Sequence, residues 1–202
     1  MNNKKVFGNT LINVPAPELV KNGLILSPKL NVYDREEERN KENASDIDRD
    51  VVLDILDDIE EDTNAKVLVS APNTRILWSM LAQTDIITEL KSRDYDIMHI
   101  TAKHGAYINR QKVRRDKFFD TLSQWGEDDD KKFILFHYSI LSEGINVRGL
   151  THSVLLRNLP VIEMAQTIGR VIRLHKYDYQ DIQDNKISAG DTESYRKPHG
   201  II

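Results

Sequence analysis

The sequence contains no cysteine among its 202 residues. This excludes disulfide cross-links, thiolate metal sites and catalysis by a cysteine nucleophile, and it is consistent with a reducing, intracellular setting. No run of about 18 apolar residues, the length that a membrane-spanning helix needs, occurs anywhere in the chain, and residues 1–17 hold no apolar stretch long enough for a signal peptide. We therefore expect a soluble, cytoplasmic protein with no membrane partner.

An excess of positive charge is also missing, since the formal net charge is -4. A uniformly basic nucleic-acid binder is thereby excluded, but the charges are unevenly distributed. Acidic residues are concentrated in residues 34–62 and 127–130, whereas residues 103–117 and 157–176 carry most of the local positive charge. A locally basic surface therefore remains possible.

The length and the 40% hydrophobic content suffice for one α/β domain with a full core. Prolines interrupt the first thirty residues, and residues 34–50 are too polar to bury anything. We interpret residues 1–45 as a connecting segment with a polar linker and residues 46–202 as the folded domain.

Short apolar runs rich in β-branched residues alternate with helical periodicity along the rest of the chain. Strands alternating with helices favour right-handed crossovers and a parallel sheet covered on both faces. The predicted fold class is α/β, a three-layer sandwich with a mostly parallel central sheet. Four strands are predicted at residues 66–71, 95–101, 133–138 and 153–158, and a helix is predicted over residues 161–175.

The helix predicted over residues 161–175 carries an amide and two guanidinium groups on one stripe. Gln166, Arg170 and Arg173 follow one another at i, i+4 and i+7, and no carboxylate lies between Glu163 and Asp178. Two arginines without an acidic neighbour on their own helix suit a bidentate anion, most naturally a phosphate. The apolar residues of the same helix are predicted to face the sheet: Met164, Ile168, Val171 and Ile172.

Each of these features also has a purely structural interpretation. Arg170 and Arg173 could pair with carboxylates elsewhere in the domain. The basic residues 103–117 could form the solvated face of a helix, and we favour this interpretation for that stretch. Trp78 and Trp125 are interpreted as packing residues, and the six histidines lack metal-ligand spacing, so no metal site is predicted.

Five stretches of the sequence resemble segments of a known protein family. The sequence SILSEGINVRGLTHSVLLRNLP followed by EMAQTIGRVIRLHK resembles motifs V and VI of superfamily 2 helicases, in the branch of phage DEAD/DEAH-like helicases and restriction-enzyme translocase subunits. VLVSAPNTRILWSMLAQ resembles motif IV, IMHITAKH resembles the following strand and loop, and NTLINVPAPELVKNGLILSPKL resembles the passage between the two helicase lobes. The resemblance spans roughly residues 10–176 and implies the second RecA-like lobe, the helicase C-terminal domain.

The resemblance implies a nucleotide site shared with another lobe. Arg170 and Arg173 would reach the γ-phosphate of ATP, one of them as an arginine finger, and Gln166 would sense the nucleotide. Gly144 and Asn146 would lie near the ribose and phosphates. The residues alone leave Gly144 and Asn146 open to a different interpretation, an ordinary turn after a strand.

The resemblance also implies contacts to nucleic acid, with DNA favoured over RNA. The loop that contains Ser142 and Glu143 would couple these contacts to the nucleotide site. Tyr138 stands where many relatives have a threonine, which puts one backbone contact of that loop in doubt. The candidates for phosphate contacts are Thr101, Lys103 and His104, with Asn73 and Thr74 as weaker ones.

A phosphate-cradling G-x-x-x-x-G-K-[ST] loop and an acidic magnesium-holding box are absent from the sequence. We therefore expect ATP and Mg²⁺ to be held mainly by an N-terminal helicase lobe, in cis or in trans, and the chain alone to be inactive in ATP hydrolysis. A viral origin would place the protein in the host cytoplasm. The alternative is a non-hydrolytic module that binds nucleic acid or a protein and retains the fold of the lobe.

Overall fold

The computed structural model describes residues 14–33, 36–59, 64–138, 147 and 149–202. Its helices are α1 (Ala16–Lys21), α2 (Ala44–Asp58), α3 (Thr74–Gln83), α4 (Ile86–Ser92), α5 (Arg115–Glu127), α6 (Val161–Val171) and α7 (Lys176–Gln183). Its strands are β1 (Ser27–Lys29), β2 (Lys66–Ser70), β3 (Asp96–Thr101), β4 (Gly105–Ile108), β5 (Gln111–Val113), β6 (Phe133–His137), β7 (His152–Leu155) and β8 (His199–Ile201).

The eight strands form one sheet in the order β1-β8-β7-β2-β6-β3-β4-β5. Neighbours from β1 to β3 in this order pair in parallel, and β4 and β5 add an antiparallel hairpin at one edge. Central strands β2 and β6 are buried along their whole length, as strands covered on both faces must be. The predicted fold class, an α/β sandwich with a mostly parallel sheet, is confirmed.

A separate apolar core fills each face of the sheet. On one face α2, α3 and α4 pack against β2, β3 and β6. On the other face α5, the end of α6 and the hairpin side of β3 enclose a second core around Phe118 and Phe133. Helices on both faces are what the alternation of strands and helices predicts.

The first strand lies within the predicted connecting segment. Ser27 of β1 pairs with His199 of β8, so this part of the chain extends the sheet. The interpretation that residues 34–50 bury nothing is wrong for Asp48, which is buried because its carboxylate accepts hydrogen bonds of 2.8 and 2.9 Å from Arg39. Because the charge of Asp48 is paired with that of Arg39, the carboxylate can be buried within this polar segment.

The basic stretch from residue 103 onward also differs from its predicted helical form. Residues 105–113 make the β4–β5 hairpin, and only after it does α5 begin. In the part of the chain that is described, no helix is both long and apolar enough to cross a membrane.

Candidate nucleotide and nucleic-acid site

The carboxyl ends of β2, β3, β6 and β7 meet at one edge of the sheet, where ligands of open parallel sheets bind. At this edge the hydroxyl of Ser70, the last residue of β2, lies 2.9 Å from Nε2 of His137, the last residue of β6. Both side chains are buried. The pair fixes the starting point of the chain segments that leave these two central strands.

The side chain of His137 lies near positively charged arginines. Burial lowers the pKa of His137, and the guanidinium groups of Arg170 and Arg157 add to the shift, which brings it to about 3. A neutral imidazole next to two arginines adds no charge to the site. The positive charge that acts on His137 comes from these two arginines.

Arg157 is a residue of this edge that the sequence analysis did not single out. It follows β7, lies over the ring of Tyr138 at 4.8 Å and donates a 3.0 Å hydrogen bond to the carboxylate of Glu163. The only feature of the sequence that could have identified Arg157 was its position at the end of a buried strand. The contact with Glu163 ties the loop after β7 to the first turn of α6.

Arg170 lies in the last turn of helix α6, and Arg173 lies two residues beyond its end at Val171. The helix predicted over residues 161–175 is therefore shorter than predicted. Pro160 precedes its first residue, where a fixed φ favours helix initiation, and the helix has an acidic residue in its first turn and Arg170 in its last, matching the helix dipole. Arg170 is only 6% exposed, whereas Arg173 is half-buried. Burial lowers the pKa of Arg170, and the positive charge of Arg173 lowers it further. The structure thus brings the two guanidinium groups together.

The first half of α6 exposes apolar side chains beside Gln166, which is itself exposed. Val161 is 82% exposed, Ile162 50% and Met164 37%. The prediction that Met164 faces the sheet is therefore wrong, because the helix turns toward the core only near its end, where Val171 is fully buried. An exposed apolar stripe next to polar groups is typical of an interaction surface.

The end of α6 is held by Lys197 from the C-terminal segment. Its ammonium group donates hydrogen bonds to the backbone carbonyl oxygens of Val171 and Leu150 at 2.6 Å and of Arg173 at 3.0 Å. Burial lowers the pKa of Lys197 to about 7, with the nearby carboxylate of Asp178 opposing the shift. These contacts fix the backbone that carries both arginines.

The predicted nucleic-acid residues after β3 form a tight turn. The buried hydroxyl of Thr101 accepts a 3.0 Å hydrogen bond from the backbone amide of His104. Lys103 is exposed, and His104 is half-buried and stacks on Trp78 of α3. Thr101 is thus placed to shape the turn, and the residues that a phosphate could reach are Lys103 and His104.

Asn73 and Thr74 begin α3 at the same edge of the sheet. The side-chain oxygen of Asn73 accepts a 2.9 Å hydrogen bond from the backbone amide of Ile76, which caps the helix. Both residues are half-buried. The stacking of His104 on Trp78 joins this helix start to the turn after β3.

Three predicted site residues, Ser142, Gly144 and Asn146, lie outside the described residues. The same is true of Glu143. Within the described ranges, no group of three or more histidine, aspartate or glutamate side chains is arranged to hold a metal ion.

No family model and no curated protein sequence matches this chain. Among solved structures, it is similar over its whole length to the ATP-dependent Type ISP restriction-modification enzyme LlaBIII bound to DNA, with 12% identity and a TM-score of 0.58, and it spans 13% of that chain. Two weaker similarities each cover 63% of this chain. One is to the Mss116p DEAD-box helicase domain 2 bound to an RNA duplex, with 15% identity over 44% of that chain and a TM-score of 0.42. The other is to the Pyrococcus furiosus Hef helicase domain, with 16% identity over 23% of that chain and a TM-score of 0.39.

The similarity over the whole length shows that the chain shares a RecA-like α/β fold with part of that structure. At 12% identity the likeness concerns the fold alone.

Proposed function

We propose that this chain is the second motor lobe of an ATP-dependent nucleic-acid helicase or translocase of the phage or restriction-translocase type, acting in the cytoplasm. The observation that carries the proposal is the pair of Arg170, in the last turn of α6, and Arg173, just beyond that helix, in a RecA-like fold. The pair supplies the arginine finger, and the loops at the carboxyl edge of the sheet supply part of the nucleic-acid track.

The arrangement of the pair favours an anionic ligand. The positive charge of Arg173 lowers the pKa of Arg170, and the repulsion between the two guanidinium groups is relieved when a phosphate lies between them. Arg173 is the more accessible of the two, so we assign the finger to Arg173. Arg170 lies behind it, keeps the site positive and contributes a second contact to the phosphate.

The residues present fit ATP only in part. Arg170, Arg173 and Gln166 are donors suited to the γ-phosphate, but the chain has no phosphate-cradling loop and no acidic residue pair for Mg²⁺. ATP supplies the phosphoryl group whose developing charge the guanidinium groups stabilise. The chain's own residues position those donors, while ATP and Mg²⁺ are held mainly by the first lobe.

The exposed apolar half of α6 provides a surface for that first lobe. Val161, Ile162 and Met164 lie within two turns of Gln166 on the same helix. A lobe that packs on this surface is held at a fixed distance from Arg170, which lies in the last turn of the same helix, and from Arg173, which follows the helix. Closure of the two lobes therefore couples burial of this surface to completion of the nucleotide site.

Nucleic acid is proposed to cross the carboxyl edge of the sheet. Lys103 and His104 after β3, together with the first amides of α3 at Asn73 and Thr74, face the same edge and suit phosphate oxygens. We favour DNA, because the resemblance to motifs V and VI favours it and because the similar restriction enzyme was solved bound to DNA.

The test is nucleic-acid-stimulated ATP hydrolysis by the chain alone and by the chain joined to, or mixed with, the lobe that carries the phosphate-binding loop. We expect no hydrolysis from the chain alone and hydrolysis from the two lobes together. The Arg173→Ala variant should lower that rate by a factor on the order of 10³ or more. Unchanged hydrolysis in Arg173→Ala would refute the finger assignment.

A second function, a non-hydrolytic binding module, has one observation in its favour. Arg170 is only 6% exposed, as a residue with a purely structural role would be. If the two-lobe assembly does not hydrolyse ATP and the chain still binds nucleic acid, this second function takes the place of the first.

A further inference from the structure

Four rings form a cluster between α3 and the β4–β5 hairpin. Trp78 of α3 stacks on His104 with ring centroids 4.3 Å apart, and His99 of β3 stacks on Tyr107 of β4 at 4.6 Å. The two stacks meet edge to face, since Trp78 lies 6.0 Å from His99 at 72° and 6.1 Å from Tyr107 at 61°. We name these four residues the aromatic corner.

The aromatic corner encloses a pocket of about 260 Å³ that three of its rings line. Leu81, Ala82 and Ile87 complete an apolar wall, and Arg110 lies at the rim. Trp78 is 36% exposed, so its ring is available to a ligand. The interpretation of Trp78 as a packing residue therefore does not account for its position.

The hairpin turn holds Arg110 in a fixed place. Asn109 and Arg110 have φ values of 47° and 71°, as a two-residue hairpin turn of the primed kind requires. The side-chain oxygen of Asn109 accepts a 2.9 Å hydrogen bond from the backbone amide of Ile97, which anchors the turn to β3. The position of Arg110 relative to the pocket is thus set by the backbone.

Cations surround the aromatic corner. Lys112 pairs across the hairpin with Tyr107 and therefore points to the same face, and Lys103 lies in the turn that carries His104. Within the described part of the chain, Lys103, Arg110 and Lys112 take part in no ion pair. A ligand that has a planar ring flanked by negatively charged groups would complement the aromatic rings and the cations of this surface.

We propose that the aromatic corner holds one unstacked base of a single-stranded nucleic acid, with Arg110, Lys112 and Lys103 contacting the neighbouring phosphates. The proposal deepens the nucleic-acid part of the proposed function and rests on it, since the corner adjoins the turn of Lys103 and His104. A base offers the flat face that aromatic side chains stack on, and its phosphates meet the cations. An aromatic side chain of a protein partner would fill the pocket but would leave three cations without a counter-charge.

Two oligonucleotides separate base stacking from phosphate contact. One is a fluorescein-labelled oligo-dT of about 12 nucleotides, and the other is a strand of equal length built of abasic sugar–phosphate units. Their affinities are measured at low salt with the wild-type chain and with Trp78→Ala, Trp78→Phe and Arg110→Ala. The matched control is Tyr179→Ala, which removes an exposed aromatic ring from α7.

A direct readout is the fluorescence of Trp78. Trp78 and Trp125 are the only tryptophans, so a Trp125→Phe background makes Trp78 the single reporter. We expect oligo-dT to quench this fluorescence and the abasic strand to leave it unchanged.

The proposal predicts that Trp78→Ala weakens binding of oligo-dT about 5- to 100-fold and leaves the abasic strand unaffected. Trp78→Phe should retain most of the affinity, Arg110→Ala should weaken both strands and reduce the salt dependence by about one phosphate contact, and Tyr179→Ala should change neither. Equal losses for both strands in Trp78→Ala, or no loss, would overturn the proposal.

Two further outcomes distinguish the alternatives. If Trp78→Ala weakens binding of the first lobe and leaves oligo-dT binding intact, the pocket is a protein-docking site and the proposal is wrong. If the wild-type chain binds neither strand, alone or with the first lobe, the nucleic-acid part of the proposed function fails, and the base pocket fails with it.

Discussion

Lys197 and Val171 are joined by a 2.6 Å hydrogen bond from the buried ammonium group to a backbone carbonyl oxygen at the end of α6. The carbonyl groups in the last turn of a helix have no partner within the helix, and a cation suits them because of the helix dipole. Lys197 also bonds the carbonyl oxygen of Arg173, and Arg170 lies in the last turn of α6, so the C-terminal segment determines how firmly the pair is held.

Replacing Lys197 by methionine should therefore destabilise the protein. The change keeps the apolar stem but leaves three buried carbonyl oxygens without this donor, and we expect the free energy of unfolding to fall by about 2 kcal/mol. Urea unfolding at about pH 6, where the ammonium is protonated, measures the change. Lys186→Met, at an exposed lysine paired with Asp181 and Asp184, should leave the free energy of unfolding nearly unchanged, because surface ion pairs contribute little to stability. Equal effects of the two substitutions would contradict the proposed role of Lys197.

Gly200 and Gly169 should respond in opposite ways to alanine. A Cβ at Gly200 of β8 would lie 2.5 Å from the carbonyl oxygen of Val171, and because the contact is with backbone, it cannot be relieved by a side-chain movement. We expect Gly200→Ala to lower the free energy of unfolding by about 2 kcal/mol or more. A Cβ at Gly169 would meet no described atom within 4 Å, so Gly169→Ala in the middle of α6 should raise it by up to about 1 kcal/mol.

Gly169→Ala also tests the docking of the first lobe. If the first lobe packs closely on α6, the added methyl group should slow nucleic-acid-stimulated hydrolysis by the two-lobe assembly, although the chain itself is not destabilised. Measuring the free energy of unfolding and the rate of ATP hydrolysis on the same variant separates the effect on stability from the effect on docking of the first lobe. A variant that is more stable and fully active would show that the first lobe does not approach Gly169.

The buried histidines should make the protein sensitive to acid. Burial lowers the pKa of His99 from 6.5 to about 4, with His104 adding to the shift. Between these values the unfolded chain binds a proton that the folded chain does not, so the free energy of unfolding falls as the pH drops from 6.5 to 4. We expect the contribution of His99 to be about 2–3 kcal/mol.

The non-titrating variant His99→Phe should lose this part of the pH dependence, as measured by urea unfolding across the same range. His199→Phe, at an exposed histidine on β8, serves as the control and should follow the wild-type curve. A His99→Phe curve that is parallel to that of the wild type would show that His99 is not the source of the acid sensitivity.

The four central strands were predictable because each is a buried apolar run. Both β2 and β6 are buried along their whole length and contain an unbroken apolar run, residues 67–69 and 133–136. Edge strand β1 and its neighbour β8 are only three residues long, which is too short for a period to be detected. The β4–β5 hairpin was missed because its turn uses Asn109 and Arg110 at positive φ without a glycine.

The candidate site, like the fold, was predictable only in part. Arg170 and Arg173 were identified because they are three residues apart in a segment of helical periodicity, although the helix ends at Val171 and contains only Arg170. The contact of Lys197 with Val171 joins residues 26 positions apart, and the aromatic corner joins α3 to a hairpin that was not predicted. Contacts of this kind depend on the packed fold, which local sequence patterns do not specify.

The most direct test of the account is a comparison of kcat and KM for ATP in the two-lobe assembly with Arg173→Ala and Arg170→Ala. A finger acts on the charge that develops during phosphoryl transfer, so the account predicts that kcat falls on the order of 10³-fold in Arg173→Ala while KM changes little. Arg93→Ala, which removes an arginine paired with Asp57, should leave both constants unchanged. Loss of ATP affinity with kcat retained, or wild-type rates in both arginine variants, would contradict the central claim.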